Sequence, residues 1–280
     1  SAQFLLTTMD PAGFQLFSLV AIIISLSLVP LTLAHVTSPA AIVTRRLGLR
    51  ALVRLSPLGV AGCFAAGLIT SAFNSMAPVY ARAIDPSPDW VATFMMVAVF
   101  SGLVLQVPLG RLSDRFDRRR VILGLTVAVV AAAVGLGALG AQSTWILLPL
   151  LSLFCGLIYT LYPISFSHAN DFMEPDQLVP AAAGLLLAFG AGAMIGPVAG
   201  ATAMARFGNA GLFFCVAAMG LTLSLFTIYR MSRREARPNE EQGGFLVMAQ
   251  TTPAVSELDP RHVPGDADQL AFAFDDDRTS

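Results

Sequence analysis

The chain has 280 residues, of which 55% are apolar and only 12% charged, and its formal net charge is −1. With a mean hydropathy of +0.70 it is too apolar for a soluble globular domain, and no nucleic-acid partner is expected. The near-neutral total hides a segregation of sign, with arginines in a few short segments and acids in the last fifty residues.

Residues 1–8 read as the tail of a helix whose beginning lies upstream, and a chain that does not start with Met reads as cut from something longer. Asp10-Pro11-Ala12-Gly13 forms a turn, because proline presets φ and glycine supplies freedom. Phe14 to Ala34 is then an uncharged apolar run about 31 Å long at helical rise, which matches the hydrocarbon core of a bilayer. Pro30 falls near its end, where a transmembrane helix accommodates it.

Six further spans are expected at 58–82, 90–110, 121–141, 145–168, 179–203 and 211–231, making an all-α polytopic membrane protein. The connections at 35–57, 111–120 and 169–178 carry most of the polar residues, whereas those at 83–89, 142–144 and 204–210 are short. From Ser232 onward ten acids, five arginines and four prolines cannot build a core, so a disordered tail is expected. Its Phe245-Leu-Val-Met-Ala249 patch is too short to span.

All 17 basic residues are arginine, and they set the orientation. Thirteen lie in the loops at 35–57 and 111–120 or just after the last span, against Arg82 and Arg206 on the opposite side. The arginine-rich side and the tail are therefore expected in the cytoplasm. Trp90 and Trp145 start spans on the other face, where indole rings favour the interface. Cys63, Cys155 and Cys215 lie singly in apolar runs and read as small packing residues. No metal or cofactor is expected.

The densest polar stretch is Pro108 to Arg120, with Gly110, Leu112, Asp114, Arg115, Arg118 and Arg119 at the spacing Gly-x-Leu-x-Asp-Arg-x-x-Arg-Arg. The arginines alone suit a positive-inside anchor. The added Gly110 and Asp114 make the stretch resemble the loop signature of the major facilitator superfamily, which implies a conformational latch bracing one helical bundle against the other. Asp114 is expected at the start of the following helix, bonding backbone N–H groups or pairing with Arg115 or Arg118. Asp117 stands where that family usually has glycine, so it is expected either to take a left-handed turn or to pair with arginine.

A second pattern, Gly192, Gly196, Pro197 and Gly200, makes a smooth groove on one helix face for close packing. It resembles the glycine–proline motif of antiporters in the same superfamily. Here it would fall in the eleventh helix rather than the fifth, so the antiporter role is not carried over.

The resemblance covers 1–231 and points most closely to an uncharacterised bacterial branch. It implies a six-helix C-terminal bundle at 58–231 preceded by one further transmembrane helix, within twelve helices arranged as two bundles of inverted repeats. Residues 1–34 would be the end of helix five and helix six, 35–57 the central cytoplasmic loop, and 232–280 the tail. It implies a secondary transporter of the bacterial inner membrane. Its expected partners are membrane lipid, an unidentified small-molecule substrate and the missing N-terminal helices.

In that architecture the cavity candidates are Thr70 and Asn74 in the 58–82 span, Gln106, and Tyr159 and Tyr162 in the 145–168 span. Each could instead satisfy a neighbouring helix. Asn74 is the best single choice, because an amide in hydrocarbon needs partners. His168, near its helix end, is expected at the interface rather than carrying protons, and no span holds an ionisable residue at mid-depth. Seven spans with a cytoplasmic tail also describe membrane receptors and rhodopsins. A retinal protein would need a lysine, which this chain lacks. No nucleophile–base pair or metal cluster that would suggest an enzyme falls within the spans.

Overall fold

The computed structural model describes residues 48–233, apart from 141, 175 and 176, and a few helical positions between 18 and 29. The expected stub at 1–8, the loop residues 35–47, most of the span at 14–34 and the tail from 234 lie outside the described residues.

Every regular element among the described residues is helical. A short helix, α1 (Leu49–Leu55), leads into α2 (Pro57–Ile84), α3 (Pro88–Arg115), α4 (Arg118–Leu139), α5 (Thr144–Asn170), α6 (Leu178–Phe207) and α7 (Gly211–Arg233). The last six are long and apolar enough to cross a membrane. They run from 22 to 30 residues, or about 33–45 Å, so they overhang a hydrocarbon core of about 30 Å.

Local chemistry sets the helix ends. Proline stands at the first position of α2 and α3, where its missing N–H costs nothing. Ser87, Asp117 and Ser143 cap α3, α4 and α5, their side chains accepting from the amides of Trp90, Arg119 and Trp145. Gly208 closes α6 at φ 71°, a conformation that side chains rarely adopt. Just beyond α2, the Asp85 carboxylate accepts the Ser87 amide at 2.8 Å. That bond holds its carboxyl below the usual carboxylate range.

The helices pack in pairs: α2 along α6, α3 along α5, and α4 along α7, with α2 and α5 crossing at the centre. Exchanging α2–α4 for α5–α7 reproduces this set of neighbours, as two inverted three-helix repeats require. A chain of aromatic edges ties the centre together. Phe73, Phe154, Phe213 and Tyr80 follow one another at 5.4, 5.8 and 4.8 Å between ring centroids. Cys63 and Cys155 are fully buried there as free thiols, and Cys215 is half-buried.

The outer surface is apolar, with Phe100, Leu103, Leu187 and Met194 all more than half exposed. Water would penalise such a surface, and lipid does not. Trp145 stands almost wholly exposed at the start of α5.

The segment at 35–57, expected as loop, contains α1 and the start of α2. Leu52 anchors α1, buried to 1% exposure over Gly184 of α6, where a Cβ would lie 2.6 Å from its methyl.

Candidate functional site

Two polar constellations stand out, one at the arginine-rich end of the bundle and one on its exposed flank.

At the first, the expected loop at 111–120 shrinks to Phe116 and Asp117, because α3 continues through Arg115 and α4 begins at Arg118. Hydropathy marks the depth of hydrocarbon, whereas the helical hydrogen-bond ladder continues past it. Asp114 therefore sits in the last turn of α3 rather than at the start of the next helix. Asp117 supplies the cap at φ −53° in place of a left-handed turn, its carboxylate accepting the Arg119 amide at 3.0 Å. Gly110 is buried in α3, while Arg115 is exposed in its last turn.

Arg118 is the hub. Its guanidinium donates to Asp171 at 2.7 Å, to the Ser167 carbonyl at 3.1 Å and to Asp114 at 3.2 Å. Arg118 and Asp171 are 1% and 3% exposed, so both charges have left water. Desolvation of that kind costs several kcal/mol, about the size of what good pairing restores. The geometry is favourable for a further reason. Arg118 places a cation against the last carbonyls of α5, while Asp117 places an anion at the start of α4. One side chain thereby ties the ends of three helices. Asp171 is the member that sequence reasoning missed. Its signal was an acid at a span end on the arginine-rich side, in a segment with three acids and no arginine.

At the second, the Tyr159 hydroxyl donates to the Asn74 Oδ1 at 2.5 Å, joining α5 to α2. Asn74 and its neighbour Ser75 are exposed, and Tyr159 is half-buried. The Tyr159 ring lies over Gly102 of α3, where a Cβ would come within 2.6 Å of it. Nearby, the Ser101 and Ser152 hydroxyls bond at 2.7 Å between α3 and α5.

The other cavity candidates do not join this pair at the surface. Thr70, Gln106 and Tyr162 are 1%, 7% and 2% exposed, inside the bundle. Tyr162 packs edge-on against Phe189, with centroids 5.0 Å apart. The glycine face of α6 packs closely along α2. A Cβ on Gly67 would meet the Phe189 carbonyl group, and one on Gly192 would lie 2.8 Å from the Leu68 amide nitrogen. Gly196 and Gly200 continue that seam along Leu68, Ser71 and Met76, with Pro197 half-buried beside them. His168, in the last turn of α5, is 5% exposed and edge-on to Phe172 at 5.2 Å.

A bundle of six membrane-length helices, its two halves sharing one pattern of neighbours and tied at one end by an arginine hub, defines a multi-pass helical membrane protein. Residues 59–264 match the Major Facilitator Superfamily, and the chain belongs to that family of membrane transporters. It is therefore a transporter-family protein and not an enzyme. The chain is 28% identical over 186 residues to the uncharacterized MFS-type transporter YcaD of Escherichia fergusonii, covering 66% of this chain and 47% of that one. It is 30% identical over 176 residues to YcaD of Shigella flexneri, covering 63% and 45%. The crystal structure of the human organic anion transporter MFSD10 (TETRAN) shares the fold, with a TM-score of 0.50 at 18% identity over 73% of this chain and 53% of that one. The chain spans about half the length of the relatives it matches.

Proposed function

We propose that the chain supplies one of the two helical bundles of a secondary transporter, which moves a small molecule by alternating access. The two bundles would rock about a path between them. In this reading residues 58–231 are the C-terminal bundle, 14–34 a helix of the other half, and 35–57 the connection. The arginine-rich end faces the cytoplasm, and the enterobacterial relatives favour a bacterial inner membrane.

The observation that carries the reading is the Asn74–Tyr159 hydrogen bond at 2.5 Å on an exposed flank. An interhelical hydrogen bond within a membrane contributes only about 0.6 kcal/mol on average, so holding the fold is a small part of its use. An exposed amide next to a phenol is suited to recognising a substrate that hydrogen-bonds. Gly110, Asp114, Arg115, Arg118 and Arg119, with Asp171 completing the Arg118 hub, would serve as the latch, bracing this bundle against the other in one access state. Seating an ionisable group at mid-depth is costly, and among the described residues such groups cluster at helix ends. Proton coupling, where it operates, would therefore rely on a carboxylate in the other half.

The test is transport by the whole protein reconstituted in vesicles. Asn74→Ala and Tyr159→Phe are expected to raise KM several-fold, with the pH profile of transport unchanged. Unaltered KM in both variants would remove this flank from the substrate path.

A further inference from the structure

Arg118 and Arg119 are neighbours with different destinations. Arg118 turns into the hub, whereas Arg119 lines a small cavity of about 20 Å³, room for about one oxygen-sized group, with Ser56, Leu58, His168, Phe172 and Arg230. We propose that Ser56, Arg119, His168 and Arg230 form a binding site for a phosphate-type anion at the arginine-rich end of the bundle.

Three observations converge on this site. First, two guanidiniums and an imidazole from α4, α7 and α5 line it, and no acid among the described residues does. Arg119 and His168 are each 5% exposed, so both side chains are held in place at a built surface rather than freely solvated. A planar fork of N–H donors is the side chain best matched to phosphate oxygens.

Second, the cavity lies at the start of α2, a helix of 28 residues, whose first amides and dipole favour negative charge.

Third, Ser56 occupies the capping position of α2 yet makes no capping hydrogen bond. It is 1% exposed, its Oγ has no hydrogen-bond partner, and it lines the cavity. A buried hydroxyl without a partner costs about 1–3 kcal/mol, and an anion oxygen in the cavity would recover that cost.

Leu58 and Phe172 give the site apolar walls, and a basic pocket between helices at the membrane surface is suited to a headgroup. The same chemistry would hold a free phosphate ion, so the two sources are separated by experiment.

The 280-residue chain, purified in detergent and stripped of lipid, is titrated with dioleoylphosphatidylglycerol and with dioleoylglycerol, which has the same tails but no phosphate. Bound lipid is read by native mass spectrometry. One phosphatidylglycerol is expected to be retained and dioleoylglycerol is not. Arg230→Gln and Ser56→Ala should each weaken retention about tenfold or more. Arg233→Gln, a residue that stacks on Tyr229 away from the cavity, should not weaken it. Displacement of the lipid by millimolar inorganic phosphate assigns the site to the free ion, and resistance to displacement assigns it to the headgroup.

Equal retention of dioleoylglycerol, absence of phosphatidylglycerol binding, or unchanged affinity in Arg230→Gln would overturn the proposal. Arg230 is half-exposed, so this variant carries the test if Ser56→Ala does not fold. Substrate flux plays no part in the readout, so failure here leaves the transport reading standing.

Discussion

Arg118 and Asp171 meet at 2.7 Å across the ends of α4 and α5, each almost wholly withdrawn from solvent. Residues 53 positions apart in the chain are thus joined in a single buried bond. Removing one partner leaves the other charged and stranded. Arg118→Ala is expected to destabilise the bundle by about 3–5 kcal/mol, seen as a lower unfolding temperature in detergent. Asp114→Ala, whose side chain is 36% exposed, should cost less than about 1 kcal/mol. An Arg118→Ala protein as stable as the parent would show that the hub contributes nothing to the fold.

The seam between α2 and α6 gives a second contrast. A side chain at Gly196 collides with the backbone of α2 near Leu68, whereas one at Gly190 meets nothing within 4 Å. Gly196→Val should cost about 1–3 kcal/mol or more through overpacking. Gly190→Ala should instead gain about 0.5–1 kcal/mol, since alanine gives up less freedom in a helix. Thermal unfolding of the two variants side by side checks the pair, and equal effects would mean the seam is not close-packed.

The orientation is open to a labelling experiment. With the native cysteines replaced, a cysteine at Ser232 should resist an impermeant thiol reagent in intact cells, and one at Ser143 should react. Ser232 follows the arginine-rich end of α7 and Ser143 caps the opposite end of the bundle. The reverse pattern would invert the topology.

If the path lies between two bundles, residues 1–280 alone in liposomes should give no substrate flux above empty vesicles. Robust flux without dimerisation, monitored by crosslinking in the same vesicles, would refute the two-bundle reading.

Much of the bundle was legible in the sequence, because six apolar runs of spanning length have few alternatives to membrane helices. The glycine stripe was legible as well, since residues four apart share a helix face. Helix ends were not. The arginine cluster marked the edge of the hydrocarbon, and the ladder of α3 ran on to Arg115. Asp171 was hidden because its partner is distant in sequence and acids carry little weight in topology. Thr70 and Asn74, four residues apart on α2, were indistinguishable by type and spacing. Only the packing of the neighbouring helices decides that one is buried and the other exposed.

At Gly67, Gly192 and Gly196 the backbones of α2 and α6 approach with no side chain between them. Two helices in such intimate register cannot slide or tilt separately without tearing open their shared spine, so mechanically they form a single stiff beam. A displacement at the start of α2 is therefore delivered along α6 as well. Spin labels placed on these two helices should keep their separation through any change of state, while their distances to α3 or α4 are free to vary.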